Sequence, residues 1–386
     1  MLNSLPVGAA ARQPRGLIQI NGTTVPGWVE WEVDNNTFYQ ADTFRVTFAA
    51  SYLPAAFGLP FWAGTVESYV EIFAGFPADP DNFSTTDLES LIYGRIDDVT
   101  YNPSAGVIVV SGRDLTAAFI EAQTMEKWPN KTASDIATTL AQRHGLTPIV
   151  TPTKVKAGRY YDIDHVRLTD QRSEWDMLTW LAHEEQFSVY VKGRELHFEP
   201  KPSPASNAYV IQWQGPAPGD DFASPSSNAT RLLFSRNLTL ARDITVKVRS
   251  WNDKQQAGFT VQAKATKAKN KTINAANFAS AISPFGSAQV FSYTIPNLSK
   301  DEALKRAYAI LADLSRHEVT LEADMPADNI LQTTSLIQVQ GTGAAFTQGF
   351  DMDFYPASIR RSMSMSAGYR MDIHAKNHSP ETVTQA

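Results

Sequence analysis

The residues whose types and spacing could do chemistry are few, and each set stops short of a working constellation. His183-Glu-Glu-Gln-Phe187 and His317-Glu-Val-Thr-Leu321 both begin like the helical zinc motif, in which a second His follows the first by four residues. Here that position holds Phe187 or Leu321, so neither pair closes a metal site. We read His183 as the polar side of an amphipathic helix and His317 as a cation at a helix end. Asp162-Ile-Asp164-His165 and Asp351-Met-Asp353 place carboxylates two apart but lack the further oxygen ligands and turn Gly of a calcium loop. Alternating acids on exposed strand faces explain them. A glycosidase needs only two carboxylates about 5 to 9 Å apart, and nothing in the spacing of the 40 acids singles out a pair. Gly341-Thr-Gly343 lacks the third Gly of a dinucleotide loop. Neither a Gly-X-Ser-X-Gly elbow nor a Gly-Lys-Ser/Thr phosphate loop occurs. With no Cys, thiolate chemistry and a disulfide framework are excluded as well. We therefore expect no catalytic residue, no cofactor and no metal.

Composition narrows the class further. The chain has 386 residues, 43% of them hydrophobic, with 34 basic and 40 acidic side chains and a net charge of -6. That is enough chain for two or three domains. Charged residues are 19% of the total, against about a quarter in an average globular chain, which suggests surface meant for other subunits. The acid excess argues against a groove that grips phosphates. Lys264, Lys267, Lys269 and Lys271 form the basic run, but no aromatic is interleaved for base stacking, and we read it as a solvated loop. The eight Trp sit mostly at periodic positions suited to core packing. The opening residues lack the basic and apolar segments of a signal peptide, and no stretch is apolar enough to span a membrane, so a soluble protein is expected.

Elements that could position these residues follow from periodicity. From Leu17 to Arg113 the pattern is β: Val29, Trp31 and Val33 alternate with Glu30, Glu32 and Asp34, putting apolar groups on one face and carboxylates on the other. Phe44 to Phe48, Tyr69 to Phe73 and Val107 to Val110 read as further strands. Thr132-Ala-Ser-Asp135, Ser173-Glu-Trp-Asp176 and Ser299-Lys-Asp-Glu302 have the form of capping boxes and predict three helices. The third carries a stripe of Ala303, Ala307, Ile310, Leu311 and Leu314. A hairpin is expected at Phe187–Phe198, turning at Gly193.

The order of these blocks repeats. Phe44-Arg-Val-Thr-Phe48, Ser68 to Gly75, Tyr93 with Ile96, and Gly106 heading a last strand are echoed by His317-Glu-Val-Thr-Leu321, Ser335 to Gly341, Tyr355 with Ile359, and Gly368 heading a last strand. An internal duplication gives two copies of one β-barrel. The expected fold is mainly β with α+β insertions: a first barrel over 1–113, an α+β module over 114–200 and a Pro/Ser-rich linker or long loop over 201–228. A second barrel follows over 229–386, with a long helix near 300–316 and an irregular basic loop near 264–271.

Several phrases in this order resemble a known family. They are Ile96-Asp-Asp-Val, Val109-Val-Ser-Gly-Arg-Asp-Leu115, the helix ending at His144-Gly-Leu146, Glu174-Trp-Asp-Met-Leu178, Phe187 to Gly193 and Leu196-His-Phe-Glu-Pro200. Together with Val246 to Asn252, Arg316-His-Glu318 and Gly341-Thr-Gly343, they are similar to the baseplate hub protein of Mu-like contractile-tailed bacteriophages, over about residues 17 to 377. The resemblance implies tube-like barrels in a homotrimer, a symmetry adapter in the virion's tail baseplate assembled in the host bacterial cytoplasm. Its partners are a tail tube protein or tube initiator above and a central spike protein below, with tape measure and baseplate wedge proteins as further contacts. DNA passes through its lumen without specific binding, and the chain itself does not insert in a membrane. Glu30, Glu32 and Asp34 are then candidate channel-facing acids, repelling DNA from the wall. A contractile bacteriocin, a type VI secretion device and a tail-associated peptidoglycan hydrolase stay open as alternatives, as does a glycan-binding module.

Overall fold

A computed structural model describes residues 3, 13–37, 39–126, 128–154, 156–157, 172–200, 208–215, 225–237, 244–252, 257–264, 289–295, 298–315, 319–342 and 351–377. The first β region comprises β1 (Arg15–Ile20), β2 (Thr23–Thr24), β3 (Trp28–Asn36), β4 (Thr43–Ala49), the short helix α1 (Leu59–Gly64), β5 (Tyr69–Gly75), β6 (Glu89–Asn102) and β7 (Val107–Asp114). A module follows, with α2 (Thr116–Glu121), β8 (Gln123–Thr124), α3 (Ala133–Arg143), β9 (Thr147–Val150), β10 (Arg172–Ser173), α4 (Glu174–Glu185) and the hairpin β11 (Phe187–Lys192) and β12 (Glu195–Pro200). The chain then returns to β structure in β13 (Tyr209–Gln214), β14 (Ser226–Ser227) and β15 (Arg231–Arg236). A second insert is built from β16 (Ile244–Asn252), β17 (Ala257–Lys264), β18 (Gln289–Thr294) and α5 (Lys300–Ser315). The last strands are β19 (Val319–Pro326), β20 (Ile337–Gln340), β21 (Asp353–Ser364) and β22 (Gly368–Lys376). The protein is mainly β with α+β insertions.

All three expected helices start at their boxes. The Thr132 hydroxyl accepts from the Asp135 backbone N–H at 3.2 Å while the Asp135 carboxylate accepts from the Thr132 N–H at 3.1 Å. Ser173 with Asp176 and Ser299 with Glu302 make the same reciprocal bonds. In α5 the small residues of the stripe, Ala303 and Ala307, are fully buried with Leu311 against Val246 and Val248.

Two expectations are corrected. The segment read as a linker over 201–228 contains strand β13, which pairs in parallel with β20 from Tyr209↔Ile337 to Gln212↔Gln340. Its flanking Pro and Ser residues hid a run, Tyr209-Val-Ile211, that is buried and driven into the sheet by its apolar surface. The long helix, expected within a second barrel, instead packs on its own three-stranded sheet, β17-β16-β18, around a separate core. Residues 265–271 of the basic run, Asp162 to His165, and His317 lie outside the described residues.

The echo in the sequence corresponds to an echo in strand order. In the first half the strands pair in the series β3-β4-β7-β6-β5-β1, and in the second in the series β15-β19-β22-β21-β20-β13. Neighbours are antiparallel throughout, except that β13 joins β20 in parallel where β1 joins β5 antiparallel. Even the irregularities recur: β6 carries one extra residue, Asp97, against β7, and β21 carries one, Ala357, against β22. The halves are joined edge to edge by β3 and β21, antiparallel from Asn36↔Ser358 to Glu30↔Ser364. One core, including Trp31, Phe48, Phe354 and Ile373, runs through both.

Two local features tie the first half together. Gly94 and Gly112 lie on the core face of β6 and β7 beneath the Phe44 ring; a Cβ at Gly112 would overlap the Arg95 carbonyl oxygen and stand 2.9 Å from that ring. The loop between β3 and β4 holds the module: the Trp175 indole N–H donates to the Tyr39 carbonyl at 2.8 Å and the Tyr39 hydroxyl to the Phe187 carbonyl at 3.0 Å. At the loop's base the Asp42 carboxylate accepts from the Asn36 N–H at 2.6 Å and the Asn35 amide at 2.8 Å. Burial pushes the Asp42 carboxyl up to about 6 despite those bonds. Burial first, and then the charge of Asp42, raise Asp114 as well.

Substituting Gly112 by Val is expected to cost about 3 kcal/mol or more, as overpacking against fixed backbone does, measured by urea unfolding. For Asp42 the sign follows from linkage. Between about pH 4 and 6 the folded protein keeps a proton that the unfolded chain has lost, so this group's contribution to stability falls as pH rises through that window. Asp42→Asn should therefore gain stability relative to the parent between pH 4 and 7. Parallel thermal-midpoint curves for the two proteins would contradict the assignment.

Candidate functional site

The three acids singled out in the sequence lie together on one face of β3. Trp31 and Val33 point into the core, 1% and 0% exposed, and Glu30, Glu32 and Asp34 point the other way. Val29 does not join the apolar row: it is the extra residue of a bulge opposite β4, between Trp28 and Glu30, and is 38% exposed.

These carboxylates belong to a face that spans eight strands in the order β15-β19-β22-β21-β3-β4-β7-β6. Because neighbouring residues across a sheet share a face, registers identify what stands beside each acid. Asp34 is opposite Arg360, whose guanidinium grips it with two bonds of 2.7 and 3.0 Å and lies 3.3 Å from Glu32. Glu32 is also opposite Arg45. Glu30 accepts from the Thr47 hydroxyl at 3.2 Å. On its other side Arg360 is opposite Asp372, which is in turn opposite Asp324, where Arg231 is bound at 2.7 Å. Burial and the adjacent Asp324 push the Asp372 carboxyl upward, and its bond to Asp34 raises Arg360. The acids are thus interleaved with guanidiniums across strands from both halves. Chemically the described part of the face is a mixed-charge wall, with guanidiniums set among the carboxylates.

Other candidate chemistry resolves into structure. Asp351 accepts from the backbone N–H groups of Gly341 and Thr342 at 3.0 and 2.8 Å, tying the end of β20 to the start of β21. Gly341, with φ +88, would place a Cβ on the Trp213 carbonyl oxygen. His183 lies 2.5 Å from the Arg306 guanidinium, linking α4 to α5. Asp114, buried, and Asp42, half-buried, are acids with raised values, the property a hydrolase requires, but their oxygens are occupied. Those of Asp42 hold the β3–β4 loop, and those of Asp114 accept from the N–H and hydroxyl of Thr116 at the start of α2. Among the described residues no group of three or more His, Asp or Glu is placed to hold a metal. Trp31, Trp62, Trp128 and Trp175 are buried, and Trp251 is exposed. No helix among the described residues is long and apolar enough to cross a membrane.

No protein-family model matches the sequence, and no curated protein does. Solved structures do match. The tail protein from Neisseria meningitidis MC58 has a TM-score of 0.62 at 14% identity, covering 94% of this chain and 96% of its own. The 43 kDa tail protein of prophage MuSo2 from Shewanella oneidensis has a TM-score of 0.63 at 15% identity, covering 94% and 98%. Prophage tail protein gp18 from Listeria monocytogenes EGD-e gives 0.55 at 8% identity, covering 94% of each chain. The chain has the fold of these tail proteins.

In this tail-protein fold Arg360 was not marked by any sequence motif, because its role arises from a register between residues 326 positions apart. Its side chain is 48% exposed, so the ion pair works against solvent screening. Arg360→Ala is expected to cost less than about 1 kcal/mol in urea unfolding. A loss several times larger would mean that the pair, rather than the backbone ladder, holds β3 to β21.

Proposed function

We propose that this chain is a structural baseplate hub of a contractile phage tail. Three copies form a ring with pseudo-six-fold symmetry that joins a hexameric tail tube to a trimeric central spike. The observation that carries this reading is the repeated strand series. A chain holding two copies of one unit presents six similar units when three chains close a ring, while the ring itself keeps three-fold symmetry. The likeness in fold to tail proteins over 94% of the chain supports the same reading. So does the low charge fraction of 19%, which suits a chain that buries much of its surface against copies of itself and against tube and spike.

On this reading the face bearing Glu30, Glu32 and Asp34 lines the channel. A lumen through which DNA slides must not bind phosphates, and phosphate binding requires concentrated Lys and Arg. A wall whose guanidiniums are already engaged by carboxylates, as Arg360 is by Asp34 and Glu32, leaves little to grip. The role is non-enzymatic, with no cofactor. The partners are a tube protein or tube initiator, the spike, and the tape measure and wedge proteins around them, in a particle assembled in the bacterial cytoplasm.

Light scattering on the purified chain, alone and mixed with its tube and spike proteins, is expected to give the mass of three chains or a multiple. Imaging of the particle is expected to show a three-fold ring between tube and spike with Glu30, Glu32 and Asp34 toward the lumen. A chain that stays single with both partners present overturns the hub assignment, and a ring with those acids on its outer rim overturns the channel assignment alone.

A further inference from the structure

We propose that a second copy of this chain adds its β15, antiparallel, to the open edge of β6 at Asp98–Asn102. The proposal rests on the hub reading for the number of copies, and on the sheet itself for the seam. Strand β6 pairs with β5 only through Glu89–Arg95, whereas its pairing with β7 continues to Asn102. Beyond Ile96, therefore, one edge of β6 has no strand beside it among the described residues.

The side chains there behave as core residues lacking a cover. Val99 and Tyr101 stand opposite Val110 and Ile108 of β7 and so share their face. Val110 and Ile108 are 0% exposed, yet Val99 is 36% and Tyr101 44% exposed. The equivalent stretch of the second half shows what is missing. In β21, Ile359, Arg361 and Met363 lie on the core face and are 0%, 4% and 5% exposed, and there the edge is covered by β3.

The repeat identifies the absent strand. Strand β21 corresponds to β6, and β3, which covers β21, corresponds to β15. The chain's own β15 stands at the opposite end of the eight-strand series, pairing with β19 by one edge. It therefore meets β6 only in another copy. The chemistry matches: Leu232 and Phe234 lie on the core face of β15, opposite Ala323 and Leu321, and would extend the apolar row begun by Val99 and Tyr101. Because β3 runs antiparallel to β21, β15 runs antiparallel to β6. Joining opposite ends of identical series makes a heterologous contact, the kind that closes into a ring when the rotation permits.

The chain has no Cys, so introduced thiols report without background. Thr100, opposite Val109 of β7, and Ser235, opposite Thr320 of β19, lie on the non-core face, exposed, where substitution spares the fold. The oxidised Thr100→Cys/Ser235→Cys protein is expected to run as covalent dimers and trimers on a non-reducing gel, and each single variant as one chain. In parallel, Val99→Asp/Tyr101→Asp is expected to raise the concentration for half-assembly at least tenfold while the thermal midpoint of the isolated chain stays within a few degrees of the parent. Two results overturn the seam and leave the hub reading standing. One is a three-chain assembly that gives no cross-link from position 100 to 231, 233 or 235 of a neighbour; the other is a Val99/Tyr101 variant that assembles like the parent. A chain that remains single even with its spike and tube proteins overturns both.

Discussion

Strand β3 gives one edge to β4 and the other to β21, and through that second edge two half-sheets become one. A sheet edge carries unpaired N–H and C=O groups that must be matched, covered or left to water. Seven cross-strand positions from Asn36↔Ser358 to Glu30↔Ser364 satisfy them here. The same contact brings Trp31 beside Met363 and Val33 beside Arg361, so the apolar rows of both halves merge into one core. Much else follows from that junction: the burial of Met363, the pairing of Arg360 with Asp34, and the continuity of the charged face.

Local chemistry was legible in the sequence and long-range register was not. Three helix starts were readable because a capping box is contained in four residues, and the hairpin turning at Gly193 because strand, turn and strand are consecutive. The repeated order of blocks was readable for a similar reason, since each block is one strand with its turn. Strand β13 was missed because its apolar run is short and set among Pro and Ser, and its partner β20 lies more than a hundred residues away. The bulge at Val29 was missed because alternation continues smoothly through it; only the partner strand shows that one residue is unmatched. Glu30, Glu32 and Asp34 were correctly read as sharing a face, but their neighbours Arg360 and Arg45 could not be placed without the register.

That difference matters for what the face does. Three carboxylates on an isolated strand suggest a repulsive wall acting over about a Debye length, roughly 8 Å at physiological salt. Interleaved with guanidiniums, the same carboxylates present short-range dipoles whose field decays faster still. A surface of this kind neither attracts nor strongly repels a polyanion, and it holds its own side chains in fixed pairs. The pairing demands the two-half sheet: Asp34 comes from the first half and Arg360 from the second.

The two inserts leave this sheet intact, and their positions explain how. The second insert occupies the connection between β15 and β19, the strands that correspond to β3 and β4. In the first half that connection is the short loop from Thr37 to Asp42, which instead clamps the module through Tyr39. Lengthening a connection costs only the slow logarithmic loss of loop-closure entropy, so the repeat tolerates very different loops at equivalent points while the strand ladder stays fixed. The inserts also meet each other, Arg306 of α5 reaching His183 and Glu184 of α4 at 2.5 and 3.0 Å. Sheet strands therefore carry what the two halves share, and the connections carry what distinguishes them.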